Sequence, residues 1–316
     1  MTKNPDPSSR NAGGMRDVSH KFSTHRTATA SSSLRIAHAT AIMIRNQAVP
    51  KGNVFELARA AVLSGVKRCA ELVPFCHTVP LDVVMVEFEL QDDAIQITTQ
   101  VEAVDRTGVE IEALLATQLA ALNLYDLLKP VDETLEIGPT RLLKKTGGHG
   151  EFRDSFTPKL EAAILVCSDS TAAGKRKDKS GRLIRDRLAT EDVHIAHYDI
   201  LPDDVPQIEA WLKARSEHGA DLVFTTGGSG LGPRDVTVEA TRNVIEKEIP
   251  GISEAMRGHG RARTPYAMLS RGIAGLRGKT LIVNLPGSSR GVQESLDALL
   301  PGLLHGFKMM RGGGHE

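Results

Sequence analysis

The sequence predicts two domains of different class: an α+β domain in the N-terminal half, then an α/β three-layer domain with a mostly parallel sheet. Three observations carry that division. The N-terminal half combines helical apolar spacing with two alternating strands adjacent in sequence, the pattern of an antiparallel pair. From about residue 160 strands and helices alternate instead, and the strands are continuous apolar runs, as in a parallel sheet covered on both faces. At 316 residues the chain is long enough for two separate cores.

The elements follow in order. Residues 1–14 are rich in Pro, Ser, Asn and Gly and read as a disordered lead-in. Lys21–Ser33 is a polar segment containing His25 and Arg26. Leu34–Asn46 and Val54–Ala70 have helical spacing, and the turn Pro50-Lys51-Gly52-Asn53 sets Lys51 at a helix start. His77 then sits among apolar residues and prolines. Val83–Leu90 and Ile95–Val104 are the alternating strands. Gly108–Leu128 is one long helix, with Glu110 and Glu112 in its first turn, where acids complement the helix dipole. Asp126 and Lys129 share a face near its end. A strand near Leu135–Ile137 completes an α+β domain of the ferredoxin-like class. It occupies residues 15–145, residues 146–159 form a glycine-containing charged linker, and residues 160–316 form the second domain.

In the second domain strands are expected at Ala162–Cys167, Val193–Ile200, Leu222–Thr226 and Thr280–Leu285. Helices are expected near Leu183–Leu188, Val205–Ser216, Val238–Lys247 and Gly291–Leu300. Ligands of such folds bind at the carboxyl ends of the strands. Those ends carry Ser168-Asp169-Ser170, Pro202-Asp203-Asp204, the turn Gly227-Gly228-Ser229-Gly230, and Asn284-Leu285-Pro286-Gly287-Ser288. The glycine turn stands between a strand and a helix that Asp235 or Thr237 can cap. It therefore aims backbone N–H groups at a cavity that attracts phosphate, with Asp235 at its edge to hold a metal. Neither standard phosphate motif fits. The third glycine of one would fall on Pro233, and Gly275–Thr280 lacks a glycine at 273 and leads into a strand. Lys175, Arg176, Lys177 and Lys179 form a basic loop that either screens phosphates or is simply solvated.

Composition narrows the function. Basic and acidic residues balance at 39 each, so no global charge favours nucleic acid or membrane. Aromatics make up only 4%, too few for a base-stacking platform. Cys69, Cys76 and Cys167 are odd in number, lack metal-ligand spacing and suit a reducing cytoplasm. No apolar run approaches membrane-span length, and no signal-peptide core is evident.

Two resemblances then cover nearly the whole chain. Residues 15–145 resemble the cyclic pyranopterin monophosphate synthase family through Met15–Ser19, Lys51–Phe55, Pro74–His77, Thr107–Leu114, Tyr125–Lys129 and Ile137–Leu143. Residues 160–310 resemble the molybdopterin adenylyltransferase family through Thr225–Thr237, Pro250-Gly251, Glu254–Arg257, Leu269–Arg271 and Asn284–Gly287. Fusions of the two are a known bifunctional type in molybdenum cofactor biosynthesis.

The first resemblance implies conversion of a cyclised GTP intermediate to cyclic pyranopterin monophosphate with release of pyrophosphate. Asp126 is the implied acid/base residue, with Lys129 and Lys51 as catalytic lysines. A lysine beside Asp126 would hold its carboxylate ionised and would itself be depressed by Lys51. Phe75, Cys76, His77, Ile111 and Glu112 are implied substrate contacts, with Arg26, Lys67 and Lys145 as phosphate or ring contacts. Asn53 stands where many members have Asp. The second resemblance implies transfer of AMP from ATP to molybdopterin. Gly227, Gly228, Ser229, Gly230, Ser168 and Asp169 would bind phosphate and nucleotide, Asn284, Pro286, Gly287 and Ser288 would line the pterin side, and Asp203 and Asp235 would hold Mg2+. The alternative is a pterin-binding or scaffold domain without transferase activity. Magnesium with ATP is the only cofactor implied, with no permanently bound prosthetic group. The partners are the GTP intermediate, molybdopterin and ATP, and the families imply a homo-oligomer, trimer or hexamer.

Overall fold

The computed structural model describes residues 14–312. The chain divides into two compact units, with the boundary between Glu151 and Phe152. Apart from Gly14, the N-terminal lead-in lies outside the described residues.

The first unit is α+β. Its strands are β1 (Thr24–Arg35), β2 (Val83–Leu90), β3 (Ala94–Asp105), β4 (Glu136–Ile137) and β5 (Arg141–Thr146). They form one sheet in the order β2-β3-β1-β4, with β5 also pairing β1, and every pairing is antiparallel. The central strand β1 is the element that sequence spacing hides. It occupies most of the segment read as merely polar, and it displaces the expected helix start to α1 (His38–Arg45). Along β1 the buried positions are Arg26, Ala28, Ala30, Ser32 and Leu34, a strict alternation written mostly in small residues. Small side chains are needed because the long helix α4 (Glu110–Leu128) lies across β1 and β3.

Helix α4 buries Ala113, Ala116, Ala120, Ala121, Leu124 and Leu128 against that sheet. By length and composition its 19 residues suffice to cross a membrane, contrary to the sequence reading, but this face is part of the core. Buried Thr99 and Thr117 share a hydroxyl–hydroxyl hydrogen bond of 2.6 Å, and both reach the carbonyl of Ala113. Helix α2 (Val54–Gly65) starts at Asn53, whose Oδ1 accepts from the N–H groups of Phe55 and Glu56. Asn caps a helix as Asp does, so the departure at this position preserves the local fold. After a short helical turn follows α3 (Cys69–Leu72).

The second unit has a six-stranded sheet. Strands β6 (Leu160–Cys167), β7 (Val193–Leu201), β8 (Leu222–Thr226) and β11 (Thr280–Leu285) run parallel in the order β7-β6-β8-β11. Two antiparallel strands, β10 (Ala274–Arg277) and β9 (Lys247–Glu248), extend the edge. Leu222 and Phe224 of β8 join the core on one face and Val223 the core on the other, so both faces are covered. The helices are α5 (Asp169–Ala172), α6 (Ser180–Leu188), α7 (Val205–Glu217), α8 (Thr237–Val244), α9 (Pro250–Arg261), α10 (Ser289–Leu299) and α11 (His305–Met310).

Three expectations need correction here. Helix α8 ends at Val244 because Lys247 and Glu248 pair with β10. Neither Asp235 nor Thr237 caps α8: Val236 holds that position without a side-chain bond, and Asp235 instead accepts from the N–H of Gly232 at 2.7 Å. Helix α9 and strand β10 had no counterpart in the sequence reading, because Gly251, Gly258 and Gly260 dilute the helical pattern.

Candidate active sites

Near the carboxyl end of α4 one carboxylate is clasped by two lysines. Lys129 Nζ stands 2.7 Å from Asp126 Oδ1, and Lys51 Nζ stands 3.2 Å from Asp126 Oδ2. Lys51 also donates to the main-chain carbonyl of Asp126 at 2.8 Å. The i,i+3 spacing on α4 brings Lys129 in, and the turn capped by Asn53 brings Lys51. Hydrogen bonds from Lys129 and then Lys51 hold the Asp126 carboxyl below the usual carboxylate range. Lys129 in turn is raised by the Asp126 carboxylate, not depressed by its fellow lysine. The reason is geometric: the carboxylate lies between the two ammoniums and outweighs their repulsion.

The expected substrate contacts gather elsewhere. Cys76 Sγ donates to Glu112 Oε1 at 3.3 Å and lies 4.0 Å from Cys69 Sγ. Burial pushes both thiols up, with the Glu112 carboxylate adding to it. His77 Nε2 donates to the carbonyl of Arg16 at 2.9 Å, while Phe75 and Ile111 are exposed. Lys145 pairs with Glu110 at 3.2 Å in the first turn of α4, and Lys67 is exposed in the helical turn before α3. Arg26 is buried, with its guanidinium donating to the carbonyls of Asp105 and Arg106, so it supports this end from within. Lys21 joins the cluster unforeseen: burial, then the charges of Arg16 and Arg26, lower its pKa. Glu112 and Asp126 are separated by 14 positions on one helix. At about 1.5 Å per residue that is about 21 Å, so one copy of the chain does not bring the two sets of residues together.

The second unit builds its cavity where the parallel strand order reverses, beyond the carboxyl ends of β6 and β8. The cavity is about 370 Å³ and is lined by Ser168, Asp203, Gly227, Gly228, Asp235 and Ser288, with Gly287 beside them. Arg176, Lys177 and Lys179 of the basic loop also line it, with their side chains exposed to solvent. Gly227 and Gly228 have φ of +94° and +61°. A Cβ on Gly227 would stand 2.1 Å from the carbonyl oxygen of Cys167, and one on Gly228 2.2 Å from Thr237 Oγ1. The turn is therefore restricted to glycine by both conformation and space.

Asp203 carries the electrostatic signature of this cavity. Its Oδ2 accepts from the N–H of Asp169, and Asp169 Oδ1 accepts from the N–H of Asp203, each at 3.0 Å. Asp203 Oδ1 is buried without a hydrogen-bond partner. Burial, and then the neighbouring carboxylates of Asp169 and Asp235, push its pKa up. An orphaned carboxylate oxygen in a cavity that Asp235 also lines offers oxygen donors of the kind a hard divalent cation takes.

Several expected residues serve as frame. Asp169 holds Arg234 through both carboxylate oxygens, at 3.0 and 2.9 Å. Asn284 is buried and donates to Thr225 and Thr241 Oγ1, so it ties β11 to β8 and α8 and lines neither cavity of this unit. Ser229 is buried, and Gly230 gives its carbonyl to Arg271, so neither lines the cavity. Pro286 lines an adjoining cavity of about 390 Å³ with Ser288, Met256 and Tyr266. Arg271 is the residue that sequence reasoning undervalued. Its guanidinium donates to the carbonyls of Gly230 and Asp235 at 2.7 Å each and pairs with Glu239, stapling the whole turn.

Comparison with known proteins agrees with this division. Residues 15–148 match the "MoaC family", and residues 163–305 match the family described as "Probable molybdopterin binding domain". The chain is 39% identical over 301 residues to the "Molybdenum cofactor biosynthesis bifunctional protein" of Chlorobaculum tepidum, covering 95% of this chain and 96% of the relative. Its first part is 42% identical over 137 residues to the "Cyclic pyranopterin monophosphate synthase" of Streptomyces coelicolor, covering 43% of this chain and 81% of the relative. It is also 37% identical over 156 residues to the "Molybdopterin adenylyltransferase" of Helicobacter pylori, covering 48% of this chain and 89% of the relative.

Proposed function

The chain belongs to the family of bifunctional molybdenum cofactor biosynthesis proteins, and from that premise we propose that each unit catalyses its own step. The first converts the cyclised GTP intermediate to cyclic pyranopterin monophosphate and releases pyrophosphate. The second adenylylates molybdopterin with Mg-ATP. The observation that carries the reading is that each family match folds into its own charge-built site on a unit with its own core.

In the first unit Asp126 is the acid/base group. The two ammoniums keep its carboxylate ionised, so it enters the reaction as the proton acceptor, and they fix its position. Arg16, Lys21 and Lys145 supply positive charge for the phosphate end of the substrate at the far end of α4. Because the two ends are about 21 Å apart, a complete site needs a second copy of the chain. Exposed Leu122 and Ile111 on α4 support such an assembly, and a shared hexamer, whose six second units form two trimers, satisfies both families. The strand order β4-β1-β3-β2, with helices between β1 and β2 and between β3 and β4 and with antiparallel neighbours throughout, supports a ferredoxin-like class to which β5 is added.

In the second unit the N–H groups of the Gly227-Gly228 turn and the Arg176, Lys177 and Lys179 side chains hold the nucleotide phosphates. Asp203 and Asp235 hold magnesium, which supplies charge neutralisation at the transferring phosphoryl group. The adjoining cavity between α9 and α10 receives the pterin, within reach of Ser288, which lines both spaces. The nucleophile is the pterin's own phosphate, so the protein contributes position and charge. The orphaned Asp203 oxygen favours catalysis over a scaffold role, since a pure pterin anchor has no use for it. No permanently bound prosthetic group is required, and three free thiols support a cytoplasmic setting. The test is incubation with molybdopterin, ATP and magnesium: adenylylated pterin is expected from the wild type, and pterin binding without adenylylation from Asp235→Ala. Pterin binding without adenylylation by the wild type would instead support the scaffold.

A further inference from the structure

Three side chains from different parts of the first unit converge where spacing alone gave no metal motif. The ligand atoms of Cys69, Cys76 and Glu112 lie within 4.8 Å of one another. Cys69 starts α3, Cys76 lies seven residues on in the following loop, and Glu112 comes from the first turn of α4. Cys69 and Glu112 are almost wholly buried, at 3% and 2% exposure. Glu112 Oε2 has no hydrogen-bond partner, and no lysine or arginine pairs with this carboxylate among the described residues. A buried carboxylate with one free oxygen is costly unless a cation joins it.

The distances fit a tetrahedral metal. Two Zn–S bonds of about 2.3 Å set their sulfurs about 3.8 Å apart, and one Zn–S with one Zn–O bond of about 2.1 Å sets S and O about 3.6 Å apart. The corresponding separations here are 4.0 Å between the sulfurs and 3.3 Å from Cys76 Sγ to Glu112 Oε1. Both lie within a few tenths of an ångström of the tetrahedral values, and Cys69 Sγ stands within 4.8 Å of the Glu112 carboxylate. Two sulfur ligands select a thiophilic cation over magnesium.

We propose that Cys69, Cys76 and Glu112 bind a thiophilic divalent cation of the zinc type, with the fourth position open. Each thiol releases its proton to solvent on binding. Cys76 and Glu112 are also among the substrate contacts of the proposed synthase activity, so the cation and the substrate compete. That consequence rests on the functional reading, whereas the binding itself does not.

The test is titration of the full-length chain with cobalt alone, then displacement by zinc. One cobalt per chain with sulfur-to-cobalt absorption in the near ultraviolet is expected. Cys69→Ser should weaken binding by more than about 100-fold, since even outer-shell partners of a metal are worth about 10–100-fold. Cys167→Ser should leave it unchanged. Absence of thiolate absorption in the wild type, equal binding by Cys69→Ser, or loss in Cys167→Ser would each overturn the site. Should Cys69→Ser misfold, mass mapping of alkylated cysteines in the wild type decides. Zinc should protect Cys69 and Cys76 together, and unaltered labelling of the pair would contradict the proposal. Zinc inhibition of pyranopterin formation, relieved by excess substrate, tests the competition separately.

Discussion

Lys51 Nζ lies 3.2 Å from Asp126 Oδ2, although 75 positions separate the two residues in the chain. Neither is buried, and neither belongs to the packed core of the unit. An exposed ion pair contributes little to stability. Its placement beside a second lysine on the same carboxylate fits the acid–base role proposed for Asp126.

Asp126→Asn should therefore leave the melting of the first unit nearly unchanged while removing the proton acceptor. General acid–base catalysis contributes about 10²–10⁴-fold, so pyranopterin formation should fall by at least about 100-fold, in kcat more than in KM. Product chromatography with purified protein measures it. A variant retaining more than half of the wild-type rate would remove Asp126 from the chemistry.

The glycine turn makes a steric prediction. Gly227→Ala places a methyl group 2.1 Å from the Cys167 carbonyl oxygen at a φ of +94°. A left-handed non-glycine residue costs about 1–3 kcal/mol before the clash is counted. Calorimetry should show the second unit melting lower and the first unit unmoved, with adenylylation lost. Unchanged melting would mean that the turn relaxes freely.

Asp203→Asn keeps the shape of the side chain but halves its acceptor capacity for a cation. We expect the magnesium concentration needed for half-maximal adenylylation to rise by at least about tenfold, a loss of about 1.4 kcal/mol. A magnesium titration at saturating ATP reads it directly. An unshifted midpoint would assign the cation to other ligands.

Asp132 links the first unit's stability to pH. Burial alone would raise its pKa, but hydrogen bonds from Ala37 and Thr134 overcome this and lower it. A depressed carboxylate contributes stability that is present above its unfolded value, about 3.9, and is lost as pH falls through the folded value. Asp132→Asn should thus cost about 1–3 kcal/mol near neutrality. Urea unfolding followed down the pH scale should show the gap to wild type narrowing below about pH 4. A gap constant with pH would assign the effect to packing.

How much of this was legible in the sequence depended on side-chain size and on distance along the chain. Strands β6, β8 and β11 were readable because buried parallel strands are continuous apolar runs, as in Leu222-Val223-Phe224. Strand β1 was not, because its inward positions Ala28, Ala30 and Ser32 are small residues that carry little apolar signal among threonines and serines. Asp126 and Lys129 could be paired by helical spacing, whereas Lys51 reached them only through the resemblance. The opposite location of Glu112 and Asp126 was also available from the helix rise, since both fall within one predicted helix. Arg271 offered less. Its role is to satisfy main-chain carbonyls of a turn some forty positions away, and no local pattern encodes such a contact. The Cys69, Cys76 and Glu112 cluster is similar, because a third ligand from α4 lies outside any cysteine spacing.

The most direct test of two separate active sites is to assay both reactions on the same preparations of Asp126→Asn and Asp235→Ala. Asp126→Asn should lose pyranopterin formation and keep adenylylation at the wild-type rate, and Asp235→Ala should do the reverse. Loss of both reactions in either folded variant, or survival of both, would contradict the account.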